Sequence, residues 1–462
     1  MVLQGSLCWY IANDWLIIIK KTAECNDNVF FCIKRELGLQ VMKLRSPKLY
    51  THKKSRTPIF YPYYAGYSTE FVEDVLKVLN PQKDAKIIDP WNGTGTTTYV
   101  ANRQGFEAIG FDLNPVMIVI SKARHTSLDF RTSLRSLSLE IISSAKDQDP
   151  ILVNDPLLDW FVEPFVREIR AIQRAIERFL YPNDFQKCSL MAWNQLSNIA
   201  ALYTTMLFRT IKSAYHIRGS NPTWIKPPDE LVHPASSASD LFMAAVDEQE
   251  NYFRHSSIFA NETVSLSVAN SKSLPIENDS INCVITSPPY LTRIDYLKAT
   301  WLELLLLGFD ESNLQTLRMD MLGTPVVRNF KSKEVVTGIS DTCDKILDYV
   351  SNHHSHASST YYYKTYAKYF NDLYLSMMEI FRVMGNNGNG AMVVQSSFYK
   401  EQEVPLDIII KEMLENLGFE SNIMHTEDIS TYLTSLNSGA RKYKDKRRYR
   451  ESVVAFSKLG RA

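Results

Sequence analysis

The sequence predicts an α/β protein with a mostly parallel sheet, helices on both faces and one large helical insertion. Short apolar segments such as residues 85–89 and 281–286 end in polar residues, as buried parallel strands do. Between Tyr366 and Met384, apolar residues recur every three or four positions, which indicates a helix packed on that sheet. Almost 170 residues separate Asp112 from the strand at 281–286, more than one or two βα units need.

Six segments are predicted to be strands. Four read as parallel strands and two, near the carboxyl end, as a closing pair. In order they are "AKIID" (85–89), "EAIGFD" (107–112), "INCVIT" (281–286), "GAMVVQSS" (390–397), "FESNIM" (419–424) and "ESVVAF" (451–456). A helix over 406–417 is expected to end at Gly418, and the "GNNGNG" stretch is expected to end the helix before it.

The spacing of these elements divides the chain into an α/β core that is interrupted twice. Residues 164–180 and 196–217 carry helical periodicity, so the first insertion is predicted to be helical. The predicted division is an N-terminal extension (1–50), a first core segment (51–128), the helical insertion (129–261), a second core segment (262–300), a second insertion (301–360) and a third core segment (361–462). An alternative translation start at Met42 would leave the residues before it outside the working domain.

Composition indicates a cytoplasmic protein without a metal or a membrane segment. The 51 basic residues equal the 51 acidic ones, so net charge does not indicate a nucleic-acid partner. Residues 441–450 are nevertheless strongly basic, which suits either a solvated loop or a phosphate contact. Six scattered cysteines without a CxxC pair favour a reducing compartment, and His353–His356 is predicted to be a loop. The apolar N-terminus is interrupted by Asn13 and Asp14 and is too short to span a bilayer.

The stretch "DPWNGTGTTTYVANRQGFEAIGFD" has the layout of a nucleoside site. Asp89 ends one strand, and Gly93 and Gly95 permit a tight turn that a ligand can approach closely. The helix that follows would present free N–H groups to that ligand. Asp112 ends the next strand, where its carboxylate can accept hydrogen bonds from ribose hydroxyls.

The ligand class follows from what this turn lacks. A P-loop would place a lysine after the glycines, and none is present. The dinucleotide fingerprint requires a third glycine where Thr98 stands. S-adenosylmethionine needs a carboxylate for its ribose but no pyrophosphate cradle, so it fits better. A purely structural βα turn is the alternative.

The catalytic motif is predicted at "TSPPY", directly after the strand at 281–286. We call Ser287-Pro288-Pro289-Tyr290 the hook. Ser287 Oγ and the Pro288 carbonyl can accept both hydrogens of an exocyclic amine, which would localise the nitrogen lone pair for attack on a methyl group. Tyr290 could stack on an extruded base. The alternative is an ordinary proline turn.

Together these motifs resemble the amino-methylating DNA methyltransferases, which carry a DPxxGxGTT cofactor loop and an (S/D/N)PP(Y/F) catalytic loop. The serine form of the hook resembles the N4-cytosine branch. Four further segments are similar to the family, at 60–76, 268–290, 379–397 and 447–456. Where the family has an acidic residue that contacts adenine, this chain has Asn270. The resemblance therefore implies a Rossmann-like S-adenosylmethionine-dependent methyltransferase fold.

The resemblance also implies site residues. The catalytic residues would be Ser287, Pro288, Pro289 and Tyr290. The residues that bind S-adenosyl-L-methionine would be Tyr67, Ser68, Asp89, Pro90, Gly93, Thr94, Gly95, Thr96, Thr97, Asp112 and Asn270.

The order of the motifs resembles the α arrangement of the family, in which the insertion recognises the DNA target. Basic and polar residues in the insertion, after the hook and before the last strand are predicted to bind nucleic acid. They are Arg209, Lys212, Arg218, Asn221, Trp224, Lys226, Arg293 and Arg447. The alternatives are a scaffolding helix with solvated cations and, near the hook, a buried ion pair involving Arg293 or Asp295.

The predicted function is methylation of the N4 amine of cytosine in double-stranded DNA, in a restriction-modification or related defence system with a cognate endonuclease. DNA adenine-N6 methylation is an alternative. So is RNA guanine-N2 methylation, although that family usually has Asp before the prolines and an added RNA-binding domain, which we do not find in the first 56 residues. A further alternative is a binding protein that retains the fold without turnover. Cytosine C5 methylation is disfavoured because the chain has no Pro-Cys pair.

Overall fold

A small antiparallel sheet precedes the main body of the protein. It contains β1 (Leu3–Gln4), β2 (Leu7–Ala12) and β3 (Trp15–Lys20). The computed structural model describes residues 3–4, 7–12, 15–20, 44–47, 60–63, 66–187, 189–215, 225–256, 263–291, 295–327, 330, 337–429 and 447–460.

A seven-stranded sheet forms the centre of the molecule. Its strands are β4 (Lys86–Asp89), β5 (Glu107–Asp112), β6 (Val264–Val268), β7 (Ile281–Thr286), β8 (Met384–Gln395), β11 (Phe419–Ile429) and β12 (Tyr449–Lys458). Across the sheet the order is β11-β12-β8-β7-β4-β5-β6. All neighbours are parallel except β12, which runs antiparallel to β8 and to β11. Between β8 and β11, the strands β9 (Ser397–Tyr399) and β10 (Gln402–Val404) form a separate hairpin.

Two features of the sheet differ from the prediction. The edge strand β6 was not predicted, because its sequence "VSLSV" alternates serine with apolar residues instead of forming a continuous apolar run. The Gly/Asn stretch predicted as a turn lies inside β8. The strand is irregular there: Asn387 has a φ of +63°, and the pairing between β7 and β8 shifts register between Ile281 and Cys283.

The described part of the chain contains twelve α-helices, some of which pack on the sheet while others form the insertion. They are α1 (Thr69–Leu79), α2 (Thr96–Arg103), α3 (Pro115–Arg124), α4 (Arg131–Ala145), α5 (Glu163–Leu180), α6 (Asn198–Ala214), α7 (Ala238–His255), α8 (Trp301–Leu306), α9 (Glu311–Asp320), α10 (Asp341–Asn352), α11 (Tyr363–Val383) and α12 (Leu406–Asn416). Adjacent strand residues face different helices: Ile87 packs with α1 and α2, whereas Ile88 packs with α10 to α12. This arrangement confirms the predicted Rossmann-like fold with helices on both faces.

The insertion consists mainly of helices α4 to α7. Its core is continuous with α3, in which every residue from Val116 to Ile120 is at most 1% exposed. An apolar helix buried on all sides can pack against the sheet and the insertion at once. Helix α5 covers the predicted helical segment 164–180, and α6 forms residues 198–214 of the predicted segment 196–217.

The stretch 301–360 is divided between two cores. Residues of α8 and α9, such as Trp301 and Leu314, join the core of the insertion. Those of α10, such as Ile346, join the core that covers one face of the sheet. None of the described helices combines the length and apolarity needed to cross a membrane.

Candidate active site

A cleft lies at the carboxyl ends of the central parallel strands, with about 1060 Å³ of empty space when the part open to solvent is included. This is the position at which doubly wound sheets bind ligands. Most of the predicted catalytic and cofactor residues line it. They are Tyr67, Asp89, Pro90, Gly93, Thr94, Thr96, Asp112, Asn270, Ser287, Pro288, Pro289 and Tyr290. The fold therefore brings the two motifs, almost 200 residues apart in sequence, to a common cavity.

Asp89 organises the base of the cleft. Its carboxylate accepts hydrogen bonds from the Thr286 hydroxyl at 2.5 Å, the Tyr67 hydroxyl at 3.0 Å and the Trp91 N–H at 3.1 Å. Burial raises the pKa of Asp89 to about 6, although these bonds oppose the shift. Because Thr286 directly precedes the hook, Asp89 joins the carboxyl end of β4 to the carboxyl end of β7.

Asp112 is held by backbone N–H groups. Gly93 N–H donates to Oδ2 at 3.0 Å and Asn114 N–H donates to Oδ1 at 2.8 Å. Burial raises the pKa of Asp112 to about 7. Each oxygen has a further lone pair, so this fixed carboxylate can accept hydrogen bonds from the two hydroxyls of a ribose.

The two glycines of the cofactor loop have different functions. Gly93 has a φ of +49° and no side-chain atom near its missing Cβ, so a ligand can approach its backbone. Gly95 has a φ of +77°, and a Cβ there would lie 2.1 Å from Ser121 Oγ on α3. Gly95 is therefore required by the packing of α2 against α3, and it does not line the cleft.

Two other predicted cofactor residues also lie outside the cleft lining. Ser68 caps α1, where its Oγ accepts from the Phe71 N–H at 3.2 Å. Thr97 is completely buried and its hydroxyl donates to the Ile285 carbonyl at 3.1 Å. Their visible roles are structural: one begins a helix and the other joins α2 to β7.

The hook has the hydrogen-bonding pattern that the amine-acceptor hypothesis requires. Ser287 Oγ donates its hydrogen to the Val393 carbonyl at 2.9 Å, so its lone pairs remain to accept. The Tyr369 hydroxyl donates to the Pro289 carbonyl at 2.8 Å. Among the described residues, none donates to the Pro288 carbonyl. Ser287 and the Pro288 carbonyl are thus two acceptors side by side on a rigid backbone.

Tyr290 is held at both its backbone and its hydroxyl. Its N–H donates to the Tyr296 hydroxyl at 2.7 Å, and its own hydroxyl donates to Glu451 Oε1 at 3.3 Å. Both partners line the cleft, and sequence reasoning did not predict either. Further lining residues that it missed are Tyr63, Trp91, Asn114, Lys272 and Asp320. Trp91 directly follows the predicted Pro90 and Asn114 lies two residues after the predicted Asp112, so both could have been found, whereas Glu451 belongs to no local motif.

The predicted nucleic-acid residues have varied positions. Arg209 is buried and Lys212 is partly buried, and both are bonded within the protein rather than presented on an outer face. Lys226 is exposed. Arg447 is partly buried and donates to the Lys400 carbonyl of the β9–β10 turn. Arg218, Asn221, Trp224 and Arg293 lie outside the described residues.

Asp295 forms the buried ion pair that was one alternative for this region. Its carboxylate is bonded to the Arg318 guanidinium, with Nε to Oδ2 at 2.8 Å. The side chains are only 3% and 12% exposed, respectively. Asp295 is therefore committed to an ion pair beside the hook and does not face a substrate.

Curated relatives of the chain are methyltransferases. It is 22% identical over 390 residues to the Type II methyltransferase M.AvaI of Nostoc sp. (strain PCC 7120), covering 78% of each chain. It is 23% identical over 438 residues to the Type II methyltransferase M.MvaI of Kocuria varians, covering 87% of each, and 21% identical over 414 residues to M.BsoBI of Geobacillus stearothermophilus, covering 79% of each. No protein-family model matches.

Solved structures give weaker matches. The YcgJ protein from Bacillus subtilis is 8% identical with a TM-score of 0.30, covering 84% of this chain and 98% of that one. A geranyl diphosphate methyltransferase in complex with SAM is 8% identical with a TM-score of 0.29, covering 85% of this chain and 86% of that one. Over more than three quarters of its length, this chain is distantly homologous to Type II methyltransferases.

Proposed function

We propose that this protein is a DNA methyltransferase that transfers a methyl group from S-adenosylmethionine to the exocyclic N4 amine of cytosine in duplex DNA. The distant homology to Type II methyltransferases supports the general activity. The observation that carries the proposal is the hook: two hydrogen-bond acceptors, Ser287 Oγ and the Pro288 carbonyl, share a cleft with the carboxylate of Asp112, which we assign to the cofactor ribose.

The cofactor is assigned to the region of the cleft lined by the two acidic strand ends. Asp112 would accept the ribose hydroxyls, and Gly93 and Trp91 would lie against the nucleoside. When bound, S-adenosylmethionine supplies a methyl group activated by its positive sulfur. The negative charges of Asp89 and Asp112 suit that cation.

The hook would prepare the amine. If Ser287 Oγ and the Pro288 carbonyl each accept one N–H, the nitrogen becomes more pyramidal and its lone pair is localised on the nitrogen instead of being shared with the ring. The nitrogen–methyl bond then forms as the methyl–sulfur bond breaks, and the amine releases one proton to water. No covalent bond to the protein is needed, so catalysis consists of positioning and polarisation.

The target base would be extruded from the duplex to reach the cleft. Tyr290, held by Tyr296 and Glu451, offers a flat ring against which the base can stack. A mechanism through a cysteine nucleophile is not supported by Cys283, which is completely buried in β7. Burial raises the pKa of the Cys283 thiol to about 12, so it stays protonated at neutral pH.

The choice of cytosine depends on the serine at the first position of the hook, by resemblance to the N4-cytosine branch. A role in a restriction-modification system, with an endonuclease acting on the same site, is proposed on the same basis. The matched relatives are named as Type II methyltransferases.

The test is to express the chain in a host that lacks DNA methylation and to identify modified nucleosides in its DNA and tRNA. N4-methylcytosine in DNA is expected. N6-methyladenine in DNA would show that the target base is adenine instead of cytosine. N2-methylguanine in tRNA with unmodified DNA would overturn the proposal.

The catalytic role of the hook is tested with two serines at opposite ends of β7. Ser287→Ala is expected to abolish methyl transfer while S-adenosylmethionine still binds. Ser280→Ala is the matched control, because its hydroxyl only bonds the Glu277 carbonyl on the surface. Transfer by Ser287→Ala at the wild-type rate would contradict the mechanism.

A further inference from the structure

One segment of the chain connects the insertion to the cofactor cleft. We call residues 60–63 and 66–67 the strap. At one end, Phe60 and Tyr61 are buried in the core of the insertion. At the other end, Tyr67 is buried in the core between the sheet and helices α1 and α2. Between them, Tyr63 and Gly66 line the cleft, as Tyr67 does. The strap therefore crosses the cleft from one core to the other.

Side chains of helix α6 in the insertion contact the backbone carbonyl groups of the strap. The Arg209 guanidinium donates to the Phe60 carbonyl, and the Lys212 ammonium lies 3.5 Å from the Pro62 carbonyl. Both cations also approach the ring of Tyr61, at 5.7 Å for Arg209 and 5.1 Å for Lys212. Two consecutive turns of one helix thus contact three consecutive strap residues.

A buried acid completes this attachment. Glu303 on α8 is only 1% exposed; it accepts from the Tyr61 hydroxyl at 2.7 Å and pairs with Lys212 at 3.3 Å. A buried carboxylate is costly unless it is paired and hydrogen-bonded, so Glu303, Lys212 and Tyr61 depend on one another. Phe60 adds an edge-to-face contact with Tyr252 of α7, with ring centroids 5.1 Å apart.

We propose that Arg209, Lys212 and Glu303 are positioning residues for cofactor binding, which act by holding the strap across the cleft. The two cations that were predicted to contact DNA would then serve the cofactor instead. Their loss should loosen the portion of the strap that carries Tyr63 onto the cleft, without removing any group that contacts the base. This inference rests on the assignment of the cleft to S-adenosylmethionine.

The test compares cofactor affinity with DNA affinity. Lys212→Met keeps the aliphatic stem but removes the charge, and Glu303→Gln keeps the volume of the acid. For each variant, the Kd for S-adenosylmethionine is measured by calorimetry without DNA. A rise of roughly tenfold, equivalent to about 1.4 kcal/mol, is expected. The KM for cofactor should rise with it, whereas kcat at saturating cofactor and the salt dependence of DNA binding should not change.

The matched control is Lys187→Met, which removes another lysine–glutamate pair of the insertion, the one with Glu177. It should leave cofactor affinity unchanged. Tyr61→Phe deletes only the hydroxyl bonded to Glu303, so it is a milder variant that can be used if the larger changes prevent folding. It should also weaken cofactor binding.

Unchanged cofactor affinity in Lys212→Met, Glu303→Gln and Tyr61→Phe would overturn the inference. So would a Lys212→Met variant in which only DNA affinity and its salt dependence fall, since that result assigns Lys212 to a phosphate. Failure of the wild-type protein to bind S-adenosylmethionine would instead contradict the proposed function.

Discussion

The hydroxyl of Tyr290 donates a hydrogen bond to Glu451 Oε1 at 3.3 Å, although 161 residues separate them in the chain. Tyr290 ends the hook, and Glu451 lies on β12, the antiparallel strand next to β8. Glu451 is 8% exposed and lines the cleft. The contact therefore fixes the ring against which a target base would stack.

Tyr290→Phe keeps the ring but removes this bond, so we expect kcat/KM to fall on the order of tenfold, the worth of a hydrogen bond to a charged group. Tyr290→Ala should cost more, because base stacking of about 1–3 kcal/mol is lost as well. Glu451→Gln tests the other partner, and kcat/KM of the single and double variants is the measurement.

If Glu451 acts through Tyr290, the Tyr290→Phe and Glu451→Gln effects will not add in the double variant. Glu427→Gln is the control, because Glu427 pairs directly opposite Glu451 in the sheet but does not line the cleft. Additive losses would instead assign Glu451 an independent contact with the substrate.

Cofactor binding should strengthen as the pH rises from about 6 to about 8. The raised pKa of Asp112, about 7, means that its carboxyl is largely protonated below neutrality in the cofactor-free protein. Only the ionised form accepts from both ribose hydroxyls, so bound cofactor favours ionisation and the Kd falls as pH increases. The measurement is the Kd for S-adenosylmethionine at several pH values.

Asp112→Asn should bind S-adenosylmethionine weakly, and its Kd should no longer fall between about pH 6 and about pH 8 because of this carboxyl. Any remaining pH dependence of the Kd would come from Asp89, whose pKa is about 6. The same raised pKa affects stability. Between about pH 4 and about pH 7 the unfolded chain binds fewer protons at this position than the folded one, so Asp112 lowers the free energy of unfolding as pH rises. Asp112→Asn should therefore flatten that decline, and an unchanged pH profile would contradict the assignment.

Gly95→Ala should destabilise the protein more than Gly105→Ala. Both glycines have positive φ, +77° and +86°, so both substitutions carry backbone strain. A Cβ at Gly105 meets no atom within 4 Å, whereas one at Gly95 meets Ser121 Oγ at 2.1 Å. The free energy of unfolding should differ between the two variants by roughly 1–3 kcal/mol, the usual cost of overpacking. If a denaturant titration shows equal losses of the free energy of unfolding in the two variants, backbone strain from the positive φ is sufficient to explain the need for glycine at position 95.

Asp295→Asn should lower the free energy of unfolding by about 3–5 kcal/mol, because it removes a nearly buried carboxylate from its ion pair with Arg318. The control is Asp247→Asn, which breaks the solvent-exposed pair with Arg135 and should change stability little. Denaturant titration of both variants provides the measurement. A small effect of Asp295→Asn would show that water reaches the Arg318 guanidinium.

The predicted strands and helices depended on features that lie close together in the chain. Continuous apolar runs identified β4, β5 and β7, and the cofactor loop followed from glycines next to an acid. Strand β6 was missed because an edge strand needs apolar residues on fewer sides, so serine can occupy alternate positions. The same limit applies to Gly95: its sequence position indicates a tight turn, but only Ser121 shows why a side chain is excluded.

By itself, the sequence determined the Rossmann-like α/β class, the nucleoside turn from Asp89 to Asp112 and the hook, because each is written in the order and chemistry of adjacent residues. Only the tertiary structure decided which side chains meet. It paired Tyr290 with Glu451, Asp295 with Arg318, and Arg209 with the Phe60 carbonyl. The physical reason is that a lysine or arginine on a helix can donate hydrogen bonds to a phosphate, to a buried carbonyl or to a carboxylate. The packing of distant segments decides which of these acceptors is within reach.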